Sequence, residues 1–513
     1  MKKAKKTFLY ILGILLVALQ AVVSGIVIYE VVRLNMVPLL YLAIGIVVLV
    51  LLEVLTVYLF FRMPGEKKDK KSGRRISRRW RQKRRRTIAI AVALVVTVVC
   101  GILASALNLA NTTVKKVTGQ EQQGTVIGVY VMTDSKAETI RDIADKIWGR
   151  TDSYDAENSN AAIENINTVL GQEINAKNYD SVNAMADALY SGEVEAMVLN
   201  EAYPTILEDQ EAFSDFADQT RLIYEYKVET KIDTKDKGQT KSDVETSKDP
   251  FVIYISGSDT RSQTLVTSRS DVNLLAVVNP STKQILLVNT PRDYYVPTSV
   301  SHGARDKLTH AGIYGVQCSM DTLGMLYDTN VDYYAQINFT GFETLINAID
   351  GVSVNVDQAV KIGNYSFSVG MNEMNGEQAL AYVRERHAFA DGDNARGRHQ
   401  MAVLTAVINK LTSATTILTN YADVMNSMQG MFATDLSGDD IGGLVKMQLS
   451  DGTGWNVRSY AVTGTGDSNV TYSTPGQNLY VMVPNQTTVD HAKDLINKVK
   501  AGDTLSDEDL QAD

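Results

Sequence analysis

The sequence predicts an α/β protein carried on three N-terminal membrane-spanning helices. Three observations support this fold class. Three long apolar runs fall within the first 110 residues. After them, short strand-like runs alternate with segments of helical spacing, the pattern of α/β domains. The polar stretch Glu229–Asp249 then divides that alternation into a smaller and a larger part. At 513 residues the chain has room for two or three domains.

The apolar runs are Thr7–Tyr29, Pro38–Phe61 and Ile88–Ala110. Each reaches the roughly 20 residues that a helix needs to cross a bilayer, so residues 1–110 form the membrane part. Lys2, Lys3, Lys5 and Lys6 precede the first run, and Arg62–Arg86 holds fourteen Lys/Arg against two acidic residues. Basic loops stay cytoplasmic, which puts the N-terminus and the loop 62–86 inside and residues from 111 onward outside. Residues 1–87 carry nineteen basic and four acidic residues, a net +15, whereas the whole chain is −9. Residues 88–513 therefore hold −24. The basic loop suits anionic lipid, and with no helix-turn-helix or zinc-finger spacing nucleic acid is not an expected partner. A membrane-anchored regulator acting through this loop is the rival reading. Glu53, inside the second span, is a functional candidate by its position alone. Cys100 and Cys318 fall in different compartments, so no disulfide is expected, and Cys318 reads as a small buried residue.

Residues 111–228 form the smaller extracellular domain. Asn111–Gly124 reads as a tether, followed by a strand at Thr125–Met132 and helical spacing at Ala137–Trp148. Helices are expected at Ala161–Leu170 and Val182–Tyr190, a strand at Glu195–Leu199, a helix from Ala202 and a strand at Leu222–Val228. Asn178–Leu207 is similar to segments of small-molecule-binding domains of the periplasmic type. No catalytic constellation occurs here, so an accessory scaffold or partner-binding domain is expected.

The linker 229–249 leads into residues 250–513, where the chemistry begins. Phe251–Ile255 is a strand, and Ser256–Asp271 then packs Asp259, Arg261, Arg269 and Asp271 into sixteen residues. Val272–Val278 and Gln284–Val288 read as a hairpin around Asn279–Lys283. The second strand runs into Arg292-Asp293, and Asp306-Lys307 precede a helix expected at Gly315–Tyr327. After a strand at Tyr333–Phe339, a helix at Gly341–Ile349 and a strand at Val352–Val356, the helix Gly376–Arg384 ends in Arg384-Glu385-Arg386. A long helix through Leu411 begins near Arg396-Gly397-Arg398-His399-Gln400. Guanidinium groups present paired donors to phosphate oxygens, and Mg²⁺ prefers carboxylate and phosphate oxygens. Two aspartates with several arginines therefore suit a magnesium pyrophosphate. GxSxG, HExxH, GxxxxGK[ST] and GxGxxG are absent, and His302, His310, His387 and His399 are too scattered for an expected zinc site.

The motifs GSDTR (257–261), SRSD (268–271), PRD (291–293), DK (306–307), RER (384–386) and GDNARGRHQ (392–400) resemble the LytR-CpsA-Psr family over roughly Pro250–Leu411. Three spans plus an accessory domain are similar to its streptococcal capsule-locus branch, the CpsA/Wzg type. His399 stands where many members have Arg, and Asp350-Gly351-Val352 where Gly-Gly-Val is usual. The resemblance implies an α/β/α domain with a mixed central sheet. It also implies a magnesium-dependent phosphotransferase (Mg²⁺ or Mn²⁺) at the outer membrane face of a Gram-positive type envelope. Such an enzyme would move capsular polysaccharide, or a similar anionic glycopolymer, from undecaprenyl pyrophosphate to a peptidoglycan hydroxyl. By that likeness Asp259 and Asp271 are metal ligands, and Asp259, Asp271, Arg292, Arg384 and Arg386 are catalytic. Pyrophosphate would be held by Arg261, Arg269, Arg292, Lys307, Arg384, Arg386, Arg396, Arg398 and Gln400, with Asp293 in support. Besides the glycan carrier and peptidoglycan, membrane lipids are expected partners, as are capsule-export or kinase proteins through the membrane region.

Overall fold

A computed structural model describes residues 2–63, 78–118, 122–152, 155–231, 244–258, 265–386, 388–389, 392–413, 416 and 420–511. The chain divides into two compact units. One comprises Met1–Lys116 with Thr412–Asn426 and Ser437–Thr453, and the other comprises Val117–Leu411, Ser427–Leu436 and Gly454–Asp513.

In the first unit the helices Lys2–Leu34, Leu39–Phe61 and Arg78–Thr118 contain the three apolar runs, each long and apolar enough to cross a membrane. They anchor the chain. Val17, Gln20, Ser24, Val27 and Glu30 lie along one buried stripe of the first helix, at the three- and four-residue spacing of a helix seam. Within it Glu30 accepts a hydrogen bond from Asn111 Nδ2 at 2.8 Å, which satisfies a carboxylate near the end of the bundle. The turn between the first two helices rests on Asn35 in the left-handed region (φ 54°). Its side chain accepts from Lys446 Nζ at 2.7 Å and donates to Asp439 Oδ1 at 3.4 Å. The helix Gly438–Asp451 thus belongs with the membrane helices, although in sequence it falls among strands of the second unit.

The accessory sheet of the second unit has the order Asn175–Tyr179, Ile147–Thr151, Ala196–Asn200, Gln122–Met132, Thr220–Lys231. Ala196 and Val198 face a core containing Trp148, Ile163 and Ile166, while Met197 and Leu199 face one containing Met185, Leu189 and Phe216. The two-residue alternation of a strand thus divides the apolar side chains between helix Ala156–Leu170 on one face and Val182–Tyr190 on the other. The helical spacing at Ala137–Trp148 does not give a helix. Ile140–Ile143 is one 3₁₀ turn, and Ile147–Thr151 is a strand paired on both sides. Tertiary burial overrides the local spacing: the fully buried Trp148 donates its indole N–H to the Ile143 carbonyl at 2.9 Å and fixes the turn. The edge strand Asn175–Tyr179 has no counterpart among the expected elements, because its sequence, NAKNY, has no apolar alternation.

The larger sheet is mixed, with the order Phe432–Thr434, Tyr333–Asn338, Phe251–Ser258, Val272–Asn279, Gln284–Asn289, Asn456–Ala461. Its three middle strands are antiparallel, and the strands beside them, Tyr333–Asn338 and Asn456–Ala461, run parallel to their inner neighbours. Tyr254, Leu275, Val277, Leu286 and Val288 pack against helices Val316–Tyr327 and Gln486–Ala501. The alternate residues Leu274, Ala276 and Leu287 are buried as well. A sheet buried on both faces needs cover on both, and helix Asp393–Leu411 packs on Gln284–Asn289 and Asn456–Ala461. The result is an α/β/α sandwich with a mixed central sheet.

Replacing Trp148 with alanine removes the largest fully buried side chain of the accessory core. We expect a loss of about 3–5 kcal/mol, read as a lower melting temperature of the purified full-length chain. An unchanged melting temperature would contradict this packing.

Candidate anion site at the ends of three strands

Hairpin register places the first two charged residues. In the pair Val272–Asn279 and Gln284–Asn289, Asn279 faces Gln284 and Leu274 faces Asn289. Continued three residues beyond Leu274, the same register puts Asp271 opposite Arg292. Their side chains do meet: Arg292 Nη1 lies 2.8 Å from Asp271 Oδ1, and both groups are about nine-tenths buried. Backbone bonds then lay a third segment alongside. Strand Arg305–Lys307 pairs with Tyr295–Pro297, Thr309 N–H donates to the Arg292 carbonyl at 2.8 Å, and Ser270 N–H donates to the Thr309 carbonyl at 3.1 Å. Lys307 Nζ thereby comes to 3.3 Å from Asp293 Oδ1, and Thr309 Oγ1 donates to Asp271 Oδ1 at 3.3 Å. Arg292, Lys307, Asp271 and Asp293 form one linked cluster.

Helix Asp393–Leu411 supplies the next member. Gly397 lets it approach: a Cβ here would lie 2.3 Å from the Asn289 side chain. The adjacent Arg396 is buried, and its Nη2 comes within 3.5 Å of the Asp271 carbonyl oxygen. Arg398 does not join it. Two residues along a helix turn the side chain by about 200°, and Arg398 is exposed with Nε 3.8 Å from Asp357 Oδ2. An expectation that Arg396 and Arg398 share one ligand therefore gives way to helical phase. Gln400, four residues after Arg396, returns to its face and is half-buried. His399 is buried, stacked on Tyr382 at 4.2 Å between ring centroids and edge-on to Phe389 at 4.6 Å, which makes it a packing residue.

Arg384 and Arg386 are exposed at the end of helix Gly376–Arg384, with the Arg384 guanidinium over the Phe339 ring at 4.5 Å. Arg269 pairs with Asp209 of the accessory domain at 2.6 Å. Asp259 and Arg261 lie outside the described residues, so the expected two-aspartate metal pair is represented by Asp271 alone. Among the described residues, no group of three or more His, Cys, Asp or Glu could hold a metal ion. Mg²⁺ needs no such group, since it commonly binds through one or two carboxylates plus substrate phosphates. Cys318 is buried, as expected for a small core residue, and that burial pushes its thiol up.

Sequence reasoning missed the buried polar floor. Asp306 is fully buried and accepts from Lys307 N at 2.8 Å, His310 Nδ1 at 2.6 Å and Ser473 N at 3.0 Å, and from the Ser473 hydroxyl. These bonds compensate a charge too costly to bury alone. Beside it, Tyr254 O–H contacts Ser270 Oγ at 2.7 Å and Asn273 Oδ1 at 2.8 Å, and Ser256 and Ser270 hydroxyls meet at 2.8 Å. The i,i+4 spacing of Asp306 and His310 was a usable signal, whereas Ser473, 167 residues away, gave none.

The LytR_cpsA_psr family model matches residues 220–497. The polyisoprenyl-teichoic acid–peptidoglycan teichoic acid transferase TagU of Enterococcus faecalis is 34% identical over 221 residues, which is 41% of this chain and 72% of that protein. The corresponding TagT of Bacillus subtilis is 38% identical over 209 residues, covering 38% of this chain and 63% of TagT. A crystal structure of B. subtilis TagT is 30% identical with a TM-score of 0.39, covering 50% of this chain and 92% of that one.

Gly312 abuts the site's backbone. A Cβ there would lie 2.7 Å from Ser268 O and 2.8 Å from Ser270 N, and neither can move without shifting Asp271. We expect Gly312→Ala to cost about 1–3 kcal/mol and to lower the melting temperature. A variant as stable as the wild type would show that this approach is not tight.

Proposed function

The chain belongs to the LytR_cpsA_psr family, and from that membership we propose that it is a cell-envelope glycopolymer transferase. Its donor would be a glycan on a polyprenyl pyrophosphate, in our reading a capsular polysaccharide on undecaprenyl pyrophosphate, and its acceptor a peptidoglycan hydroxyl. The observation that carries this reading is the linked cluster of Asp271, Arg292, Asp293 and Lys307 with Arg396 beside it. The relatives TagU and TagT, named as transferases of teichoic acid from a polyisoprenyl carrier to peptidoglycan, support the reaction class. The positive charge of residues 1–87 supports an outward orientation of the transferase domain.

In the reaction the acceptor oxygen forms a new bond to the glycan-bearing phosphorus. The bond from that phosphorus to the bridging oxygen breaks, polyprenyl phosphate leaves, and the hydroxyl proton is released. Charge builds on the transferred phosphoryl and on the leaving phosphate. Arg292, Lys307 and Arg396 are held by backbone register and buried partners, so their donors need little reorganisation as that charge develops. Arg292 and Thr309 occupy Asp271 Oδ1, which leaves Oδ2 either to hold a metal ion or, without one, to take the hydroxyl proton. Asp271, with Asp259, would hold Mg²⁺ or Mn²⁺, which when bound supplies further positive charge to the phosphate oxygens.

The test incubates detergent-solubilised full-length chain with lipid-linked glycan and peptidoglycan fragments. Arg292→Ala should reduce transfer by about 10²–10³-fold, and wild-type rates in that variant would remove the assigned site. Separately, chelation by EDTA should abolish transfer and added Mg²⁺ or Mn²⁺ should restore it. Full activity after exhaustive chelation would exclude the metal.

A further inference from the structure

The accessory domain reaches the anion site at two places. Thr267 N–H donates to the Gly124 carbonyl at 3.3 Å, and Thr125 and Thr267 hydroxyls lie 3.4 Å apart, with Thr267 two residues before Arg269 and four before Asp271. Ile313 and Tyr314, next to the constrained Gly312, pack into the accessory core around Tyr203, Ile206 and Leu207. Between these anchors Asp209 Oδ2 pairs with Arg269 Nη1 at 2.6 Å.

Resting on the transferase reading above, we propose that Asp209 is a positioning residue for the reaction, orienting Arg269 toward the donor's phosphates. Its support is rigid. Asp209 follows helix Pro204–Glu208, whose Ile206 and Leu207 are buried, and precedes Gln210, which is buried and hydrogen-bonded to Asn183. A carboxylate at a helix C-terminus gains nothing from the helix dipole, so its placement is explained by the guanidinium it meets. Among the described residues that contact uses Nη1 alone, leaving Nε and Nη2 for an incoming anion. The Arg269 side chain keeps 12% of its surface exposed and that of Asp209 32%, so the aspartate fixes the arginine without closing it off. A latch competing with substrate would instead occupy both arms of the fork.

The experiment titrates inorganic pyrophosphate into the solubilised full-length chain by calorimetry and repeats the transfer assay with varied lipid-linked glycan. Asp209→Asn should weaken pyrophosphate binding about tenfold and raise KM for the donor, with kcat changing less than about threefold. Asp209→Glu should recover most of the loss. The double variant Asp209→Asn with Arg269→Ala should bind no more weakly than Arg269→Ala alone, since one interaction can be lost only once. Wild-type or tighter binding by Asp209→Asn, or fully additive losses, would overturn the proposal, as would a wild-type chain that binds no pyrophosphate. Pyrophosphate binding that follows this pattern in a chain that transfers no glycan would sink the transferase reading and leave the role of Asp209 standing.

Discussion

The pairing of Asp271 with Arg292 is the constraint from which the rest of the site follows. It is fixed by the hydrogen-bond register of a hairpin, before any side chain chooses a rotamer. Asn279 opposite Gln284 sets the frame, and every pair up to Asp271 opposite Arg292 inherits it. A slip of one residue would turn Leu274, Leu275, Val288 and their neighbours to the wrong faces of a sheet buried on both sides. The hydrophobic core thus protects the position of the charges. A buried ion pair is weak evidence for stability, because desolvation offsets much of its attraction. Its retention at a strand end fits a role in holding a guanidinium at a defined place.

The hairpin was legible in the sequence, and so was much of the fold. Its register was not: Asn279, expected in the turn, pairs with Gln284, and that one-residue difference sets Asp271 opposite Arg292 and not Pro291. The apolar membrane helices and the helices Val182–Tyr190 and Gly376–Arg384 announced themselves by length or spacing. What else stayed hidden depended on long-range burial. Ile140, Ile143 and Ile147 carry helical spacing, yet Trp148 draws that segment into a turn and strand. Asn175–Tyr179 gains its strand from a neighbour and not from its own residues. Ser473 holds Asp306 across 167 residues, and no local pattern encodes such a distance.

Motifs also say less about direction than about presence. GDNARGRHQ (392–400) offers three polar side chains after Gly397, but a helix can aim only those one turn apart at the same place. Arg396 and Gln400 share a face, Arg398 reaches toward Asp357, and His399 fills the core between two aromatic rings. The histidine at a position where arginine is common therefore belongs to packing. The Gly397 contact with Asn289 supplies the reason that the helix can start so close to the strand ends.

The site is consequently built from two kinds of part. Arg292, Lys307 and Asp271 sit on backbone whose hydrogen bonds run from strand to strand, and the chain neighbours Asp306 and Ser270 are held in buried hydrogen-bond networks. Arg384 and Arg386, by contrast, are exposed at a helix end more than seventy residues later in the chain. Fixed donors suit a pyrophosphate, whose geometry does not vary between substrates, because little reorganisation is needed as charge moves. Exposed arginines have long side chains with several rotamers, so they can follow parts of a substrate that differ in shape. Arg269 would belong to the adaptable group by its place on a loop, but its pairing with Asp209 would move it to the fixed one. On the proposed transferase reading, an accessory domain that makes one flexible cation rigid would contribute to the chemistry without supplying a reacting group of its own.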